Sequence, residues 1–383
     1  MSGFSDELPY GVFSLPDQSL RVGVGIGDRV LDLAAALAGG EVDPATFTQP
    51  SLNAFLAQGL EAWASTRRAV QRLVSRPEDL EPHLVPLDQV RLHLPIEVAD
   101  YVDFYASEHH AGNVGRIFRP DGPPLTPNWK HMPIGYHGRA GTVVVSGSEI
   151  VRPRGQLKAP SDPAPRFGPS RKLDIEAELG WVVGVGSTLG EPVPVDRFAE
   201  HVFGVVLLND WSARDLQAWE YVPLGPFLGK SFATSISAWV LPLAALEGAE
   251  VDPPRPDPDL LPYLRGRSTG YAIDVEVTIN GHTVATCPYA AMYYTPAQML
   301  AHLTVNGASL RTGDLFGSGT ISGPEPAQRG SLLELTWNGT EPLDLGGEQR
   351  TFLEDGDEVV MRAVTPTGVR LGEVRGTIRP APS

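Results

Sequence analysis

The sequence has 383 residues and a formal net charge of −16, which argues against nucleic acid or an anionic membrane as the main partner. The 41 glycines and 36 prolines favour many short strands joined by turns over a helical bundle. Cys287 is the only cysteine, which excludes an intrachain disulfide, and we expect a reducing, cytoplasmic location.

The N-terminal segment begins with short β-type runs. Residues 1–11 contain neither the basic nor the apolar stretch of a signal peptide. Strand-like runs at 10–13 and 21–31, the second with a Gly27-Asp28 turn, predict a small β-barrel or a set of hairpins. The spaced glycines around this turn do not open a helix, so they indicate turns rather than a dinucleotide-binding loop.

One helix is predicted between residues 51 and 74, where apolar side chains recur at helical spacing and Ser51 is the candidate N-cap. The segment from 76 to 95 is rich in proline and charge. We therefore predict one domain of residues 1–95 and a second domain of residues 96–383.

The second domain opens with acidic and histidine side chains among aromatic residues. Asp103 offers a hard oxygen ligand for a metal, and His110 follows it. Histidine side chains titrate near neutral pH, which suits general-base chemistry. A structural role for a single histidine is the alternative.

Residues 173–179 alternate between apolar and polar side chains, which predicts a strand with Glu176 and Glu178 on one face, roughly 7 Å apart. Two like charges at this distance repel each other unless a cation lies between them. A hard divalent ion with oxygen ligands suits the arrangement, and a solvated strand face is the alternative.

A buried strand is predicted at 202–208, and this apolar run is too short to span a bilayer. Asp210 follows as a candidate N-cap of a helix. On that helix Arg214, Gln217 and Tyr221 have the spacing i, i+3 and i+7, which places a guanidinium, an amide and a phenol on one face. Such a face suits an oxyanion, and an exposed polar face is the alternative.

The next segment contains Gly229-Lys230-Ser231, which resembles the end of a phosphate-binding loop. The spacing from Gly225 is one residue off the required pattern, so we interpret Lys230 as a buried or site lysine in a tight turn. A further helix is predicted near residues 295–304.

Five stretches of the second domain are long and specific enough to compare with known families. They are the segment from Asp103-Phe104-Tyr105 to Arg119, PIGYHGR at 133–139, NDWSARD at 209–215, WEYVPLGPFLGK at 219–230 and GSGTISGPE at 317–325. In their residues and in their order along the chain, these stretches resemble the fumarylacetoacetate hydrolase family. The resemblance extends from Leu8 to nearly the end of the chain.

The resemblance implies a fold and an activity. The implied fold is mainly β (α+β), with a small N-terminal SH3-like barrel, a larger mixed β-roll catalytic domain and a homodimer. The implied activity is metal-dependent cleavage of the carbon–carbon bond of a β-diketone acid. The substrate would be 4-fumarylacetoacetate, giving fumarate and acetoacetate in the last step of tyrosine and phenylalanine breakdown.

The resemblance also implies roles for individual residues. A Ca²⁺ or Mg²⁺ ion would be bound by Asp103, Glu176, Glu178 and Asp210, while Lys230 and Thr234 match a second, structural Mg²⁺ site that shares Asp210. His110 would be the base, oriented by Glu334, and the oxyanion would be stabilised by Arg214, Gln217 and Lys230. Substrate contacts would come from Tyr105, Arg119, Tyr136, Gln217, Tyr221 and Thr320.

Two other functions remain open at this stage. One is a different enzyme of the same superfamily, such as an acylpyruvate hydrolase, a hydratase or an oxaloacetate decarboxylase, which shares the acidic metal set. The other is a non-catalytic β-domain protein in which calcium serves folding only, and that protein would have no use for His110 and Glu334 beside the metal.

Overall fold

A computed structural model describes residues 7–39 and 42–382 of the chain. The first six residues, part of the segment that we compared with a signal peptide, lie outside the described residues. The N-terminal part consists of strands β1 (Tyr10–Ser14), β2 (Arg21–Ile26), β3 (Arg29–Asp32), β4 (Leu84–Pro86) and β5 (Arg91–His93) and of helices α1 (Leu33–Ala36), α2 (Asn53–Leu56), α3 (Leu60–Val74) and α4 (Pro77–Leu80).

The rest of the chain consists mainly of strands. These are β6 (Tyr101–Phe104), β7 (Gly135–His137), β8 (Val143–Val145), β9 (Glu149–Val151), β10 (Arg154–Leu157), β11 (Arg166–Pro169), β12 (Leu173–Asp174), β13 (Ala177–Val183), β14 (Val202–Asp210), β15 (Ser212–Ala213), β16 (Thr234–Ile236), β17 (Trp239–Pro242), β18 (Glu250–Val251), β19 (Gly270–Tyr271), β20 (Asp274–Ile279), β21 (His282–Pro288), β22 (Leu315–Gly317), β23 (Leu343–Asp344), β24 (Gln349–Arg350), β25 (Glu358–Val364) and β26 (Arg370–Arg379). The helices are α5 (Glu108–Phe118), α6 (Phe198–His201), α7 (Arg214–Glu220), α8 (Pro296–Thr304) and α9 (Leu332–Leu335).

The largest sheet runs through both predicted domains. Its main order is β4-β3-β2-β1-β17-β14-β13-β22-β6-β7, so the N-terminal strands join the rest through the pair of β1 and β17. The mainly β, α+β fold class is confirmed. Among the described residues, however, no pair of strands joins β4 to β5, so the N-terminal strands form an open curled sheet rather than a closed barrel.

A second sheet, in the order β21-β20-β25-β26-β9, packs against the first and shares a core with it. Strand β14 is buried along its whole length because both of its faces are covered, which explains its unbroken apolar sequence. Gly376 in β26 lies against the indole of Trp211, and a Cβ there would come within 2.6 Å of the ring. This close approach fixes the end of β14, where Asp210 lies.

The helix predicted at 51–74 is two helices. The chain breaks at Gly59, whose φ of +81° is a conformation that glycine adopts without strain, and Trp63 then donates its indole N–H to Leu56 O at 3.0 Å. The N-cap position of α2 is Leu52, with no side-chain cap bond, but the predicted cap Ser51 accepts at its Oγ from the backbone N–H of Asn53, the first residue of α2, at 3.4 Å. The Gly27 turn is confirmed by its φ of +63°, and the helix near 295–304 is confirmed with Thr295 as its cap.

Among the residues that the structure describes, no helix has both the length and the apolar character needed to cross a membrane.

An aromatic cluster attaches the N-terminal part to the large sheet. Phe203 of β14 makes edge-on contacts with Tyr10, Phe55 and Trp63, with ring centroids between 5.2 and 5.8 Å apart. We expect Phe203→Ala to lower the free energy of unfolding by ~3–5 kcal/mol, because it removes a buried ring and leaves a cavity.

Urea unfolding measures this loss. Phe167→Ala is the matched control, because that ring is 68% exposed and its removal is expected to change stability by no more than about 0.5 kcal/mol. Equal losses in the two variants would show that the aromatic cluster does not hold the parts together.

Candidate active site

A cavity of about 560 Å³ opens at the ends of β6, β13 and β14. Its wall contains most of the residues singled out in the sequence, namely Asp103, Tyr105, His110, Arg119, Tyr136, Glu176, Arg214, Gln217, Tyr221, Lys230 and Thr320. Four more predicted residues, Glu178, Asp210, Thr234 and Glu334, lie behind this wall and are buried. The cavity therefore gathers side chains from segments more than 200 residues apart.

Four carboxylates meet at the cavity wall, where Asp103 and Glu176 line the cavity and Glu178 and Asp210 are buried behind them. Asp103, Glu176, Glu178 and Asp210 each place one oxygen so that all four atoms lie within 4.8 Å of one another. Strands β6 and β13 both pair with β22, which brings Asp103 and Glu178 together, and Asp210 ends β14 on the other side of β13. The predicted strand at 173–179 is interrupted at Ile175 and Glu176, between β12 and β13. Its polar face is buried rather than solvated.

The cluster has room for a cation. A Cβ on Gly317 would lie 2.7 Å from Glu178 Oε2 and 2.9 Å from Asp103 Oδ1, so glycine leaves space between the two side chains. Asp103 Oδ1 and Glu178 Oε1 are buried and accept no hydrogen bond. Buried oxygens without a donor are costly, and a hard divalent ion is the ligand that this donor set fits.

The electrostatics within the cluster also favour a bound divalent cation. Burial, followed by the charge of Asp210, raises the pKa of Asp103 to about 8, and burial raises the pKa of Glu178 well above its usual range. Burial also acts on Glu176, but Lys230 and Arg214 outweigh it and lower its pKa to about 2. Two cations thus face four carboxylates, and a dication would balance the remaining charge.

Lys230 lies between the acidic cluster and a smaller cavity of about 120 Å³. Its ammonium donates to Glu176 and, at 2.7 Å, to Asp210 Oδ2. Thr234 Oγ1 donates to Asp210 Oδ1 at 2.7 Å, and the Tyr136 hydroxyl donates to Asp210 Oδ2 at 3.0 Å. These bonds occupy the carboxylate, and Asp210 does not cap α7, whose N-cap is Ala213 with no side-chain bond.

His110 is paired with a buried carboxylate. It lies in the first turn of α5, where Ser107 caps the helix by accepting from the His110 backbone N–H at 3.2 Å. Its Nδ1 lies 2.6 Å from Glu334 Oε2, and this bond leaves Nε2 for another partner. Although burial raises the pKa of Glu334, the charge of His110 and the surrounding donors outweigh it and hold that pKa below its usual value.

The first turn of α7 supplies the predicted polar face. Arg214 donates from NH1 to Gln217 Oε1 at 3.2 Å, and its NH2 forms an ion pair with Glu176 Oε1 at 2.8 Å. Gln217 also lines the cavity, as does Tyr221, which follows the helix and is 49% exposed. The alternative of an exposed helix face is wrong for Arg214, which is 6% exposed.

Sequence reasoning missed the residues that support this site. Glu334 accepts hydrogen bonds from Asn113 Nδ2 at 2.9 Å, Ser322 Oγ at 3.0 Å and Ser331 Oγ at 2.8 Å. Arg214 Nε donates to Asp174 at 2.7 Å. The alternation that singled out Glu176 and Glu178 extends to Asp174, two residues earlier, and this signal was available in the sequence.

A cavity with a carboxylate-paired histidine, a lysine and an arginine, beside buried carboxylates that can hold a divalent metal, defines a hydrolytic enzyme. The chain belongs to the fumarylacetoacetate hydrolase family. Residues 100–379 match the family described as fumarylacetoacetate (FAA) hydrolase C-terminal, and residues 6–95 match the one described as fumarylacetoacetase N-terminal. The resemblance inferred from the motifs is thereby confirmed.

Three similar proteins all have the name fumarylacetoacetase. The chain is 47% identical to the fumarylacetoacetase of Arabidopsis thaliana and 46% identical to that of Homo sapiens, in both cases over 98% of this chain and 95% of the relative. It is 46% identical to the fumarylacetoacetase of Caenorhabditis elegans, over 98% of this chain and 96% of that protein.

Solved structures share the fold at lower identity. A fumarylacetoacetate hydrolase from Exiguobacterium antarcticum superposes with a TM-score of 0.60 at 18% identity, covering 97% of this chain and 99% of that one. A maleylpyruvate hydrolase from Sphingobium sp. SYK-6, in complex with manganese(II) and pyruvate, superposes with a TM-score of 0.52 at 17% identity, covering 98% of this chain and 100% of that one. At these identities the likeness supports the fold alone.

Proposed function

We propose that the protein hydrolyses the carbon–carbon bond of 4-fumarylacetoacetate to fumarate and acetoacetate, the last step of tyrosine and phenylalanine catabolism. The observation that carries the proposal is the His110–Glu334 pair at a cavity beside one cluster of four buried carboxylates, in a chain 44–47% identical to fumarylacetoacetases. A maleylpyruvate hydrolase shares the fold over 98% of the chain at 17% identity, so the identity of 44–47% to fumarylacetoacetases is what favours this substrate.

We further propose that the acidic cluster binds Ca²⁺ or Mg²⁺ through Asp103, Glu176, Glu178 and Asp210. The donor set supports a hard ion because it consists of carboxylate oxygens alone. A bound ion would supply Lewis-acid chemistry, polarising the oxygens of the β-diketone and offsetting the negative charge of the enolate.

His110 is the general base of the proposed reaction. Its free Nε2 takes a proton from the attacking water, while Glu334, held on Nδ1, keeps the ring oriented and stabilises the imidazolium that results. The pair is buried, so the carboxylate acts in a medium of low dielectric constant. The same imidazolium can return the proton to the leaving carbon.

Three donors stabilise the oxyanion that forms when water adds to the carbonyl. Arg214, Gln217 and Lys230 line one side of the cavity, and each is held by bonds on its far side. Preorganised donors of this kind typically contribute about 3 kcal/mol each to transition-state stabilisation. Fixed orientation matters because the donors then need not reorganise during the reaction.

The remaining cavity residues hold the acidic substrate. Arg119, whose NH2 donates to Pro124 O at 3.0 Å, lies at the mouth, where it can bind a carboxylate. The chain as a whole has a net charge of −16, so the positive charge of Arg119 provides the local attraction that an anionic substrate needs. Polar contacts along the substrate are assigned to Tyr105, Tyr136, Gln217, Tyr221 and Thr320.

A second, structural Mg²⁺ is proposed beside Asp210. Thr234 and Asp210 offer oxygens there, and the small cavity beside them supports the assignment. Lys230 has no lone pair to offer in its charged form, so it contributes charge balance rather than a ligand bond.

A cytoplasmic homodimer is the proposed assembly. The loop after α7 exposes apolar side chains that are unusual on a free surface, with Val222 67%, Leu224 97% and Phe227 63% exposed. A second copy of the chain is the occupant that we propose for this surface, and the oligomeric state in solution tests it.

The substrate assignment is tested by following the loss of the diketone absorbance. With fumarylacetoacetate and each of Ca²⁺, Mg²⁺ and Mn²⁺, we expect turnover with a kcat of roughly 1–10³ s⁻¹, as is typical of enzymes. Acylpyruvates and oxaloacetate serve as matched controls, and we expect their kcat/KM to be at least about 100-fold lower. Preference for an acylpyruvate, or decarboxylation of oxaloacetate, would instead assign the chain to another activity of the superfamily.

A further inference from the structure

Asp174 is a fully buried carboxylate that no step of the proposed reaction uses. It is 0% exposed and accepts four hydrogen bonds, which use both of its oxygens. Oδ1 accepts from the backbone N–H groups of Ile175 and Leu332, each at 2.7 Å. Oδ2 accepts from Arg214 Nε at 2.7 Å and from the backbone N–H of Leu333 at 3.0 Å.

Three of these bonds connect the two halves of the reaction machinery. On one side, Asp174 holds Nε of Arg214, whose NH1 and NH2 contact Gln217 and Glu176. The hydrogen bonds of Nε and NH1 orient the plane of the guanidinium, while NH2 contributes an ion pair with Glu176 but no hydrogen bond. On the other side, Asp174 holds the amides of Leu332 and Leu333, which directly precede Glu334, the partner of His110.

We propose that Asp174 is a positioning residue that sets the distance between the oxyanion donor Arg214 and the base pair His110–Glu334. The inference rests on the proposed function, since both groups act in that reaction. A carboxylate suits this task, because it accepts from a charged guanidinium and three amides at once. A neutral amide at this position would turn an N–H group toward two of those donors.

A structural carboxylate elsewhere in the chain provides a matched control. Asp357 is 3% exposed and also accepts four hydrogen bonds, two of them from Arg350 at 3.0 and 3.1 Å, one from Glu354 N at 2.7 Å and one from Asn280 Nδ2 at 2.8 Å. It does not line the cavity. Asp357→Asn therefore removes the same charge from a similar setting away from the reaction.

A double-mutant cycle separates positioning from simple stabilisation. We expect Asp174→Asn to lower kcat about 100-fold with KM changed less than about 3-fold, because misplaced groups lose rate rather than binding. Arg214→Ala is expected to lower kcat about 10²–10³-fold. The double variant should lose clearly less than the product of the two single losses, because the part of the Asp174 effect that acts through Arg214 is already gone in Arg214→Ala, whereas fully multiplied losses would overturn the inference. Asp357→Asn should lower the Tm and leave kcat within about 2-fold of wild type.

A second variant decides the question if Asp174→Asn does not fold. Arg214→Lys keeps Asp174 and the positive charge, but a single ammonium cannot hold a fixed plane between Asp174, Glu176 and Gln217. We expect its kcat to lie within about 3-fold of that of Arg214→Ala. A value near wild type would show that charge alone suffices, which contradicts a positioning role for Asp174.

One measurement stays informative even if the wild-type enzyme does not cleave fumarylacetoacetate, a result that would reject the proposed function alone. In arginine-labelled protein, NMR follows the hydrogen exchange of Arg214 Nε–H. Slow exchange is expected in wild type and in Asp357→Asn, and fast exchange in Asp174→Asn. If Asp174 does not hold the guanidinium, the exchange will be the same in all three.

Discussion

Replacement of His110 by alanine is expected to reduce kcat by about 10²–10⁴-fold while leaving metal binding intact. The imidazole lines the same cavity as Asp103 and Glu176, and its Nδ1 is held by a carboxylate, at 2.6 Å from Glu334 Oε2. It is not one of the four clustered side chains, so the cation site loses no ligand. Steady-state kinetics and isothermal titration with Ca²⁺ measure the two quantities.

His109→Ala is the matched control for this variant. His109 is adjacent in the sequence and half-buried, but it does not line the cavity, so we expect its kcat to stay within about 2-fold of wild type. Hydrolysis at the wild-type rate in His110→Ala would remove the general-base assignment. A loss of metal binding together with activity would instead give the imidazole a role in the cation site.

Two of the four clustered carboxylates could be predicted from a short pattern, whereas only the family resemblance grouped Asp103 and Asp210 with them. Glu176 and Glu178 alternate with apolar residues, and this alternation predicted that both carboxylates lie on one side, although in the structure Glu176 lies just before the strand that contains Glu178. The stacking of Arg214 and Gln217 follows in the same way from helical spacing, and their hydrogen bond is present in the structure. These predictions rest on local geometry, namely strand alternation and helical spacing.

The supporting residues could not be predicted in this way because their partners are distant in sequence. Asn113 and Ser322 matter only through Glu334, and nothing in their own neighbourhoods indicates that contact. Asp210 was predicted as a helix cap from its local context, but Lys230, Thr234 and Tyr136 bind it instead. Tertiary bonds to charged partners outweighed a capping preference of ~1 kcal/mol.

The domain organisation shows a different limit of prediction from the sequence. Composition predicts a change near residue 95, but the pairing of β1 with β17 depends on residues about 230 positions apart. Because that pair extends the large sheet into the N-terminal part, a barrel that looks self-contained in sequence is an open sheet in the fold. Sequence patterns indicate where strands lie, and they do not indicate which edge strand finds a partner elsewhere.

Chelation of the divalent cation is expected to abolish turnover completely and to make thermal stability fall as the pH rises. Without a cation, the folded state must either protonate the buried carboxylates or bear their repulsion. The pKa of Asp103 is raised from 3.8 to about 8 in the folded protein. Its protonated form therefore contributes fully below the unfolded value, and that contribution is lost as the pH rises through the folded value.

Thermal unfolding of the EDTA-treated protein between pH 5 and pH 8 measures this effect. The Tm should decrease across that range, and added Ca²⁺ or Mg²⁺ should restore it most strongly near pH 8, where the carboxylates are available as ligands. At a free metal concentration of 100 times the Kd, the expected stabilisation is about 2.7 kcal/mol. Asp103→Asn removes the titrating group and should flatten the decrease. Undiminished activity after exhaustive chelation, or a metal-free Tm that does not change with pH, would mean that the four carboxylates do not form a cation site.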